Sequence, residues 1–344
     1  MRQLSKNLRL LVFGTPWIDR LLRSIARKSA VRSTKNDVYD LVFVTPPSQA
    51  EGWILDAICK EMGERLSSHK IAYCRSGETI PLSHRYFFSH YMFYLRAVSA
   101  GSAIFAGRSF VYATHLEPLK HAVSTRALAR LLGCVDGVIC MNSGLREELA
   151  HNGVPFEKMK VVVGAANSDI YRPHIRQEDG IVGFCSAYYE RKSPDLVFDI
   201  VRRLPHRRFV LLGKGWHAYT RFKELVSQSN FEYVETAYTN YANFYAQMSV
   251  FVSVSQLEGG PIPLVEAMMS NVVPVASRTG FAPDIIKSGE NGFLFDVGAP
   301  ASLICEMIEQ AFGLSAPVSE SVRHCNWDTF TETISREIGL SHNS

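Results

Sequence analysis

Glu258 and Glu266, eight positions apart, bracket the stretch of this chain whose residue types are best suited to chemistry. Between them run Gly259-Gly260-Pro261-Ile262-Pro263, a glycine break followed by a proline suited to the first turn of a helix. The amides of such a break and the positive end of the helix dipole form an anion site matched to a phosphate. The glycines let the backbone approach a ligand closely. Two carboxylates beside a phosphate would repel it unless they bind something else, and sugar hydroxyls are the natural candidates. The structural alternative at this point is that Glu258 caps the helix and Glu266 is a carboxylate favoured by the dipole.

The flanking elements must hold this loop in place. Val250, Val252 and Val254 alternate with Phe251, Ser253 and Ser255 as a buried strand, and a second strand is expected at Val272–Ala276. Strand, glycine loop, helix, strand is half of a doubly wound α/β domain, whose ligands sit where strand C-termini meet helix N-termini. The same grammar recurs along the chain. A strand at Tyr39–Val44 runs through a proline-rich loop to Gly52 and a helix over Ile54–Leu66. Ile71–Arg75 is a second strand, and Ser109–Ala113 is another, with His115 two residues past its end. Strands at Val135–Cys140 and Met159–Val163 flank a helix over Ser143–Asn152. Ile181–Cys185 leads to Arg191 and Lys192 at a helix entrance, where a lysine can meet a phosphate as a point charge or simply be solvated. Phe209–Leu212 precedes Gly213-Lys214-Gly215, and a helix is expected from Tyr241 to Met248. Between Arg85 and Arg96 the chain is free of charged residues and crowded with aromatics. It reads as a helix that is either core or a surface for a lipid-linked acceptor or the membrane itself.

The stretch from Glu258 to Phe295 resembles a known signature. Glu-x7-Glu followed by Ala267-Met268, then Val273-Pro274-Val275-Ala276-Ser277, Thr279-Gly280-Phe281-Ala282-Pro283-Asp284 and Ser288-Gly289-Glu290-Asn291-Gly292, is similar to that of retaining glycosyltransferases with two Rossmann-like domains, the family-four type of GT-B architecture. The commonest family form reads Glu-Gly-Phe-Gly where this chain has Glu258-Gly259-Gly260-Pro261, and Pro261 lacks one amide that could face a diphosphate. The likeness covers about residues 130 to 340, is strong over 255–295 and weak before 110. It implies that Glu258 holds the donor sugar, Glu266 the ribose hydroxyls, and Lys192 with the amides of Gly259, Gly260 and Ile262 the diphosphate. Arg191 stands in for an arginine that relatives carry upstream, His115 faces the donor sugar, and Gly52 marks the first domain's donor-side loop. No metal is implied, since there is no Asp-x-Asp motif.

Composition limits what else the chain can be. It has 344 residues, enough for two domains, and 47% hydrophobic with 20% charged residues is ordinary for globular proteins. Residues 1–36 hold nine basic residues against Asp19 alone, a net +8, which leaves −4 for the rest of a chain whose total is +4. From Pro16 onward this arm can form an amphipathic helix with Trp17, Ile18, Leu21, Leu22 and Ile25 on one side, a membrane-surface pattern or else a disordered or core-packed terminal helix. No reader motif for nucleic acid is present. Seven cysteines without a Cys-x-x-Cys pair argue against a disulfide framework and for a reducing compartment. No apolar run approaches the ~18–20 residues that span a bilayer.

The reading is two doubly wound Rossmann-like α/β domains facing a central cleft. It divides into a basic arm (1–36), an acceptor domain (37–168), a nucleotide-sugar domain (169–325) and a C-terminal helix crossing back to the first domain (326–344). The expected function is metal-independent, retaining transfer of a sugar from a nucleotide-diphosphate sugar to an acceptor hydroxyl, in cell-surface polysaccharide or glycolipid assembly. The expected partners are the donor, a glycan or lipid-linked acceptor, and an anionic membrane met by residues 1–36, with the protein cytoplasmic or peripheral on the cytoplasmic face. A sugar-nucleotide epimerase of the same architecture and a non-catalytic, membrane-tethered binding protein are the alternatives.

Overall fold

A computed structural model describes residues 12–30, 38–47, 54–100, 103–117 and 124–340. The chain folds as two units, Met1–Val162 with Asp328–Ser344, and Val163–Trp327. The first begins with α1 (Pro16–Ala30), then β1 (Leu41–Thr45), α2 (Ile54–Arg65), β2 (Ile71–Arg75), β3 (Arg85–Phe88), α3 (Tyr91–Ser99) and β4 (Arg108–Ala113). It continues with α4 (Thr125–Gly133), β5 (Gly137–Cys140), α5 (Ser143–His151) and β6 (Met159–Val161). The six strands form one parallel sheet in the order β2-β1-β3-β4-β5-β6. Helices cover both faces of a parallel sheet, so its strands read as unbroken apolar runs, and all five residues of β1 are buried.

Two expectations are corrected here. The aromatic stretch from Arg85 is not one helix: it is β3, a break at Ser89-His90, and then α3, which His90 caps by accepting from the Met92 amide at 3.1 Å. Tyr86, Phe87, Phe88, Tyr91 and Tyr94 are all fully buried, so this is core and not an acceptor surface. Each such ring contributes on the order of 1.5–3 kcal/mol by leaving water. In α1, the apolar residues do not share one side: Leu22 and Ala26 pack on the core, while Trp17, Leu21 and Ile25 face solvent.

The second unit runs β7 (Ile181–Cys185), α6 (Pro194–Arg203), β8 (Phe209–Leu212), α7 (Phe222–Val226), β9 (Phe231–Val234), α8 (Tyr241–Tyr245) and β10 (Met248–Ser253). Then follow α9 (Ile262–Met269), β11 (Val273–Ser277), α10 (Ala282–Ile285), β12 (Phe293–Phe295), α11 (Ala301–Phe312) and α12 (Val318–Ser321). The helix before β10 therefore stops at Tyr245, three residues short of Met248, which opens the strand. This sheet is also parallel, ordered β12-β11-β10-β7-β8-β9. Sequence order reverses between β7 and β10, so the ligand crevice of such a sheet lies at the C-terminal ends of those two strands.

Residues 167–179, where regular patterning lapses, pack within the second unit. Tyr171 is buried there, and Arg176 donates to the carbonyls of Asn271 and Leu314 at 2.9 and 2.6 Å. The last helix, α13 (Trp327–Ile338), packs its Phe330 edge-on against Tyr112 of β4, with ring centres 6.3 Å apart. Arg85 ties its end by donating to the Ile338 carbonyl at 3.0 Å. No helix among the described residues is long and apolar enough to cross a membrane.

Candidate functional site

The loops after β7 and β10 carry Arg191, Lys192 and Glu258, residues that the sequence singles out. After β7 the chain makes a single turn, Glu190–Lys192, and enters α6 through Ser193, a non-glycine residue with φ of 51°. That left-handed residue turns the chain sharply between Lys192 and the helix, and the Gln256 amide of the facing loop donates to the Ser193 hydroxyl at 3.3 Å. The two loops are also joined through backbone, the Gln256 amide donating to the Arg191 carbonyl at 2.8 Å.

Across this junction Lys192 donates to Oε1 of Glu258 in a short contact, and Arg191 reaches Oε2 at 3.3 Å as well as the Leu257 carbonyl. Glu258 is only 8% exposed. Burial alone would raise its carboxyl, but Lys192, a hydrogen bond from Ser255 and Arg191 together hold it below the ordinary glutamate range. Two cations thus converge on one carboxylate at the switch point of the sheet.

Helix α9 begins just beyond. Its first turn contains no acidic residue and no side chain caps it. A helix start leaves its first amides without intrahelical acceptors, and here Gly259, Gly260 and Ile262 lead into that end. Gly280 explains why the loop is shaped as it is. Its φ is +54°, and a Cβ there would lie 2.9 Å from the Gly259 carbonyl and 3.1 Å from the Glu258 side chain. A side chain at 280 would push the loop away, a constraint that sequence reading did not extract from the Thr279-Gly280 motif.

Glu266 lies in the second turn of α9 itself and is 1% exposed. Its carboxylate accepts from the Tyr238 hydroxyl in a short contact and from Tyr245 at 3.0 Å. Burial raises its carboxyl, and hydrogen bonds from Tyr238, Tyr245 and Tyr171 act against that rise. These three phenols were not singled out by sequence reading. They come from Tyr171, the turn Tyr238–Asn240 and α8, segments with no periodic signal linking them to Glu266.

The remaining sequence candidates fall elsewhere. His115 belongs to the first unit, with its Nδ1 3.1 Å from the Thr114 hydroxyl and its Nε2 3.7 Å from Glu117. Gly52 lies outside the described residues. The first unit's own crossover, β1 to α2, is built differently: α2 carries Asp56 in its first turn, 3% exposed, accepting from Arg75 at 2.7 Å. No group of three His, Cys, Asp or Glu side chains among the described residues is placed to hold a metal ion.

With this geometry in view, comparison with known proteins is specific. Residues 168–311, within the second unit, match the family model of the glycosyl transferases group 1. An uncharacterized glycosyltransferase of Methanocaldococcus jannaschii is 24% identical over 178 residues, 51% of this chain and 49% of that protein. The sulfoquinovosyl transferase SQD2 of Arabidopsis thaliana is 32% identical over 116 residues, 31% of this chain and 22% of that protein. The matches thus span at most about half the length of these relatives. Among solved structures, Anabaena HepE in complex with UDP superposes with a TM-score of 0.72 at 14% identity, covering 88% of this chain and all of that one. That likeness establishes the fold, the GT-B architecture of two Rossmann-like domains.

Proposed function

We propose that the protein transfers a sugar from a nucleotide-diphosphate sugar to an acceptor hydroxyl, with retention at the anomeric carbon. The observation that carries this reading is the pair of cations, Lys192 and Arg191, gathered on Glu258 beside the uncapped start of α9. A diphosphate entering there competes with Glu258 for Lys192. As it takes the lysine, the Glu258 carboxylate is released to accept from the donor sugar's hydroxyls. Binding of the leaving group and gripping of the sugar are then one exchange.

In the reaction the bond from the anomeric carbon to the diphosphate oxygen breaks, and the acceptor oxygen bonds to the same face of the sugar. The acceptor's proton passes to the departing phosphate. Lys192, Arg191 and the amides at Gly259, Gly260 and Ile262 stabilise the charge that develops on that phosphate, a role that commonly contributes about 10²–10³-fold per donor. Glu266 takes the ribose by exchanging the Tyr238 hydroxyl for a ribose hydroxyl, while Tyr245 keeps hold of its other oxygen. His115 keeps the role against the donor sugar that the family resemblance implies. A UDP donor is supported by Anabaena HepE, whose structures hold UDP, UDP with glucose, and UDP-glucose. Cell-surface polysaccharide or glycolipid is the acceptor class we favour.

The test is a panel of nucleotide sugars incubated with glycan and lipid-linked acceptors, following nucleoside diphosphate release and product mass, with and without EDTA. Transfer that survives EDTA within about twofold is expected, since positioned cations do the work of a metal here. Conversion of the donor without any acceptor would identify an epimerase instead. Nucleotide binding without turnover would identify a binding protein.

A further inference from the structure

We propose that α1 is a membrane-docking helix that inserts Trp17, Leu21 and Ile25 into the interface of an anionic lipid surface. These three side chains are 62%, 52% and 55% exposed and stand at i, i+4 and i+8, a single line along the helix. Arg20 and Ser24 are exposed in the same strip. The opposite side of the helix is fixed to the first unit. Leu22 and Ala26 pack against its core, and Phe13 just ahead of the helix does the same.

Arg23 locks the rotation of the helix. It donates to Asp19 at 2.8 Å, to Asp136 at 2.9 Å and to the Cys134 carbonyl at 3.1 Å. Asp136 is itself held by the Ser109 amide at 2.8 Å, so the clamp reaches the entries of β4 and β5. The helix cannot roll to hide its apolar line without breaking that network. A line of Trp, Leu and Ile held outward is costly in water and needs an occupant.

Charge identifies the occupant. Arg20 is exposed within the apolar strip, and the sequence of residues 1–36 carries a net +8, a charge that an anionic lipid surface attracts and a second copy of the chain does not. Area agrees: three half-exposed side chains offer a few hundred Å², far below the ~1,200 Å² of a stable protein interface. That area suits shallow insertion of an amphipathic helix, where apolar burial and lipid attraction add together.

The experiment uses the full chain with vesicles of phosphatidylcholine alone or mixed with phosphatidylglycerol. The wild type is expected to sediment with the mixed vesicles only, with binding that weakens as salt rises and a blue-shifted tryptophan emission that W17F removes. The combined W17S, L21S and I25S variant should keep the wild-type melting temperature, because the replaced side chains are exposed, yet lose at least about tenfold in vesicle partitioning. Equal binding by the variant, or equal wild-type binding to both vesicle types, would overturn the proposal. A concentration-dependent dimer that the triple variant dissolves would overturn it in favour of a second copy of the chain. None of these readouts depends on the transfer activity.

Discussion

The two units have parallel six-stranded sheets, yet α2, which leaves β1, and α9, which leaves β10, begin in opposite electrostatic states. In the first, α2 brings its own anion: Asp56 sits buried in the opening turn, neutralised by Arg75 from the end of β2. In the second, α9 starts with glycines and prolines and no acidic residue, and the cations wait across the loop on Glu258. Both arrangements satisfy local charge. In the proposed mechanism only the second exchanges its internal carboxylate for an outside anion, because Glu258 lies in the loop rather than within the helix. Shared topology therefore assigns a position for a ligand, and the ownership of the carboxylate decides whether the position is open.

The largest effect that would sharpen this contrast is at Lys192. Lys192→Ala should lower kcat by about 10³-fold, since the leaving diphosphate loses its point charge. A loss below tenfold in steady-state kinetics would remove Lys192 from the mechanism. The counterpart in the first unit is Arg75→Ala, which leaves the buried Asp56 with the exposed Lys60, at 3.4 Å, as its remaining ion pair among the described residues. It should cost roughly 2–3 kcal/mol in denaturant unfolding, while the nucleoside diphosphate Kd stays within twofold. A weakened Kd would mean that the first unit's crossover is not closed.

Acid acts on the Glu258 pairing more gently. Glu258 is held below the ordinary range in the folded protein, so its contribution to stability is present above a carboxylate's usual pKa and disappears as pH falls through the lower folded value. The stability gap between wild type and Glu258→Gln, on the order of 1–2 kcal/mol at neutral pH, should close below pH of about 4. A gap that persists in acid would mean the glutamine variant is destabilised through packing alone. The smallest effect is at Tyr238. Tyr238→Phe frees one oxygen of Glu266 for ribose and should tighten nucleoside diphosphate binding by about three- to fivefold, near the worth of one hydrogen bond. Pyrophosphate, which has no ribose, should bind the variant as it binds the wild type. Unchanged nucleotide affinity in calorimetry would return Glu266 to a purely structural role.

How far the sequence revealed these features follows from what each depends on. Strands such as Ile181–Cys185 and Phe209–Leu212 were legible to the residue, because parallel strands buried on both faces read as apolar runs. Glu258 and Lys192 were legible because residue type and loop position alone suggest phosphate chemistry. Their direct pairing was not, since it depends on β7 and β10 being neighbours in the sheet although 62 residues of chain separate Cys185 from Met248. The tyrosines around Glu266 left no trace for the same reason. The break at Ser89-His90 escaped because histidine is outside the usual capping set, although its ring nitrogen accepts the Met92 amide. In α1 the amphipathic pattern was visible, but the split of its apolar residues between core and solvent was not, since it is set by the Arg23 network.

The exchange at Glu258 is the centre of this account, and calorimetry of Glu258→Gln with free nucleoside diphosphate addresses it directly. Removing the internal competitor for Lys192 should leave that affinity at least equal to the wild type, even as kcat falls by about a hundredfold for want of a grip on the sugar. If Glu258→Gln instead loses diphosphate affinity to the same extent as Lys192→Ala, the carboxylate is a fixed part of the phosphate site and the exchange does not occur.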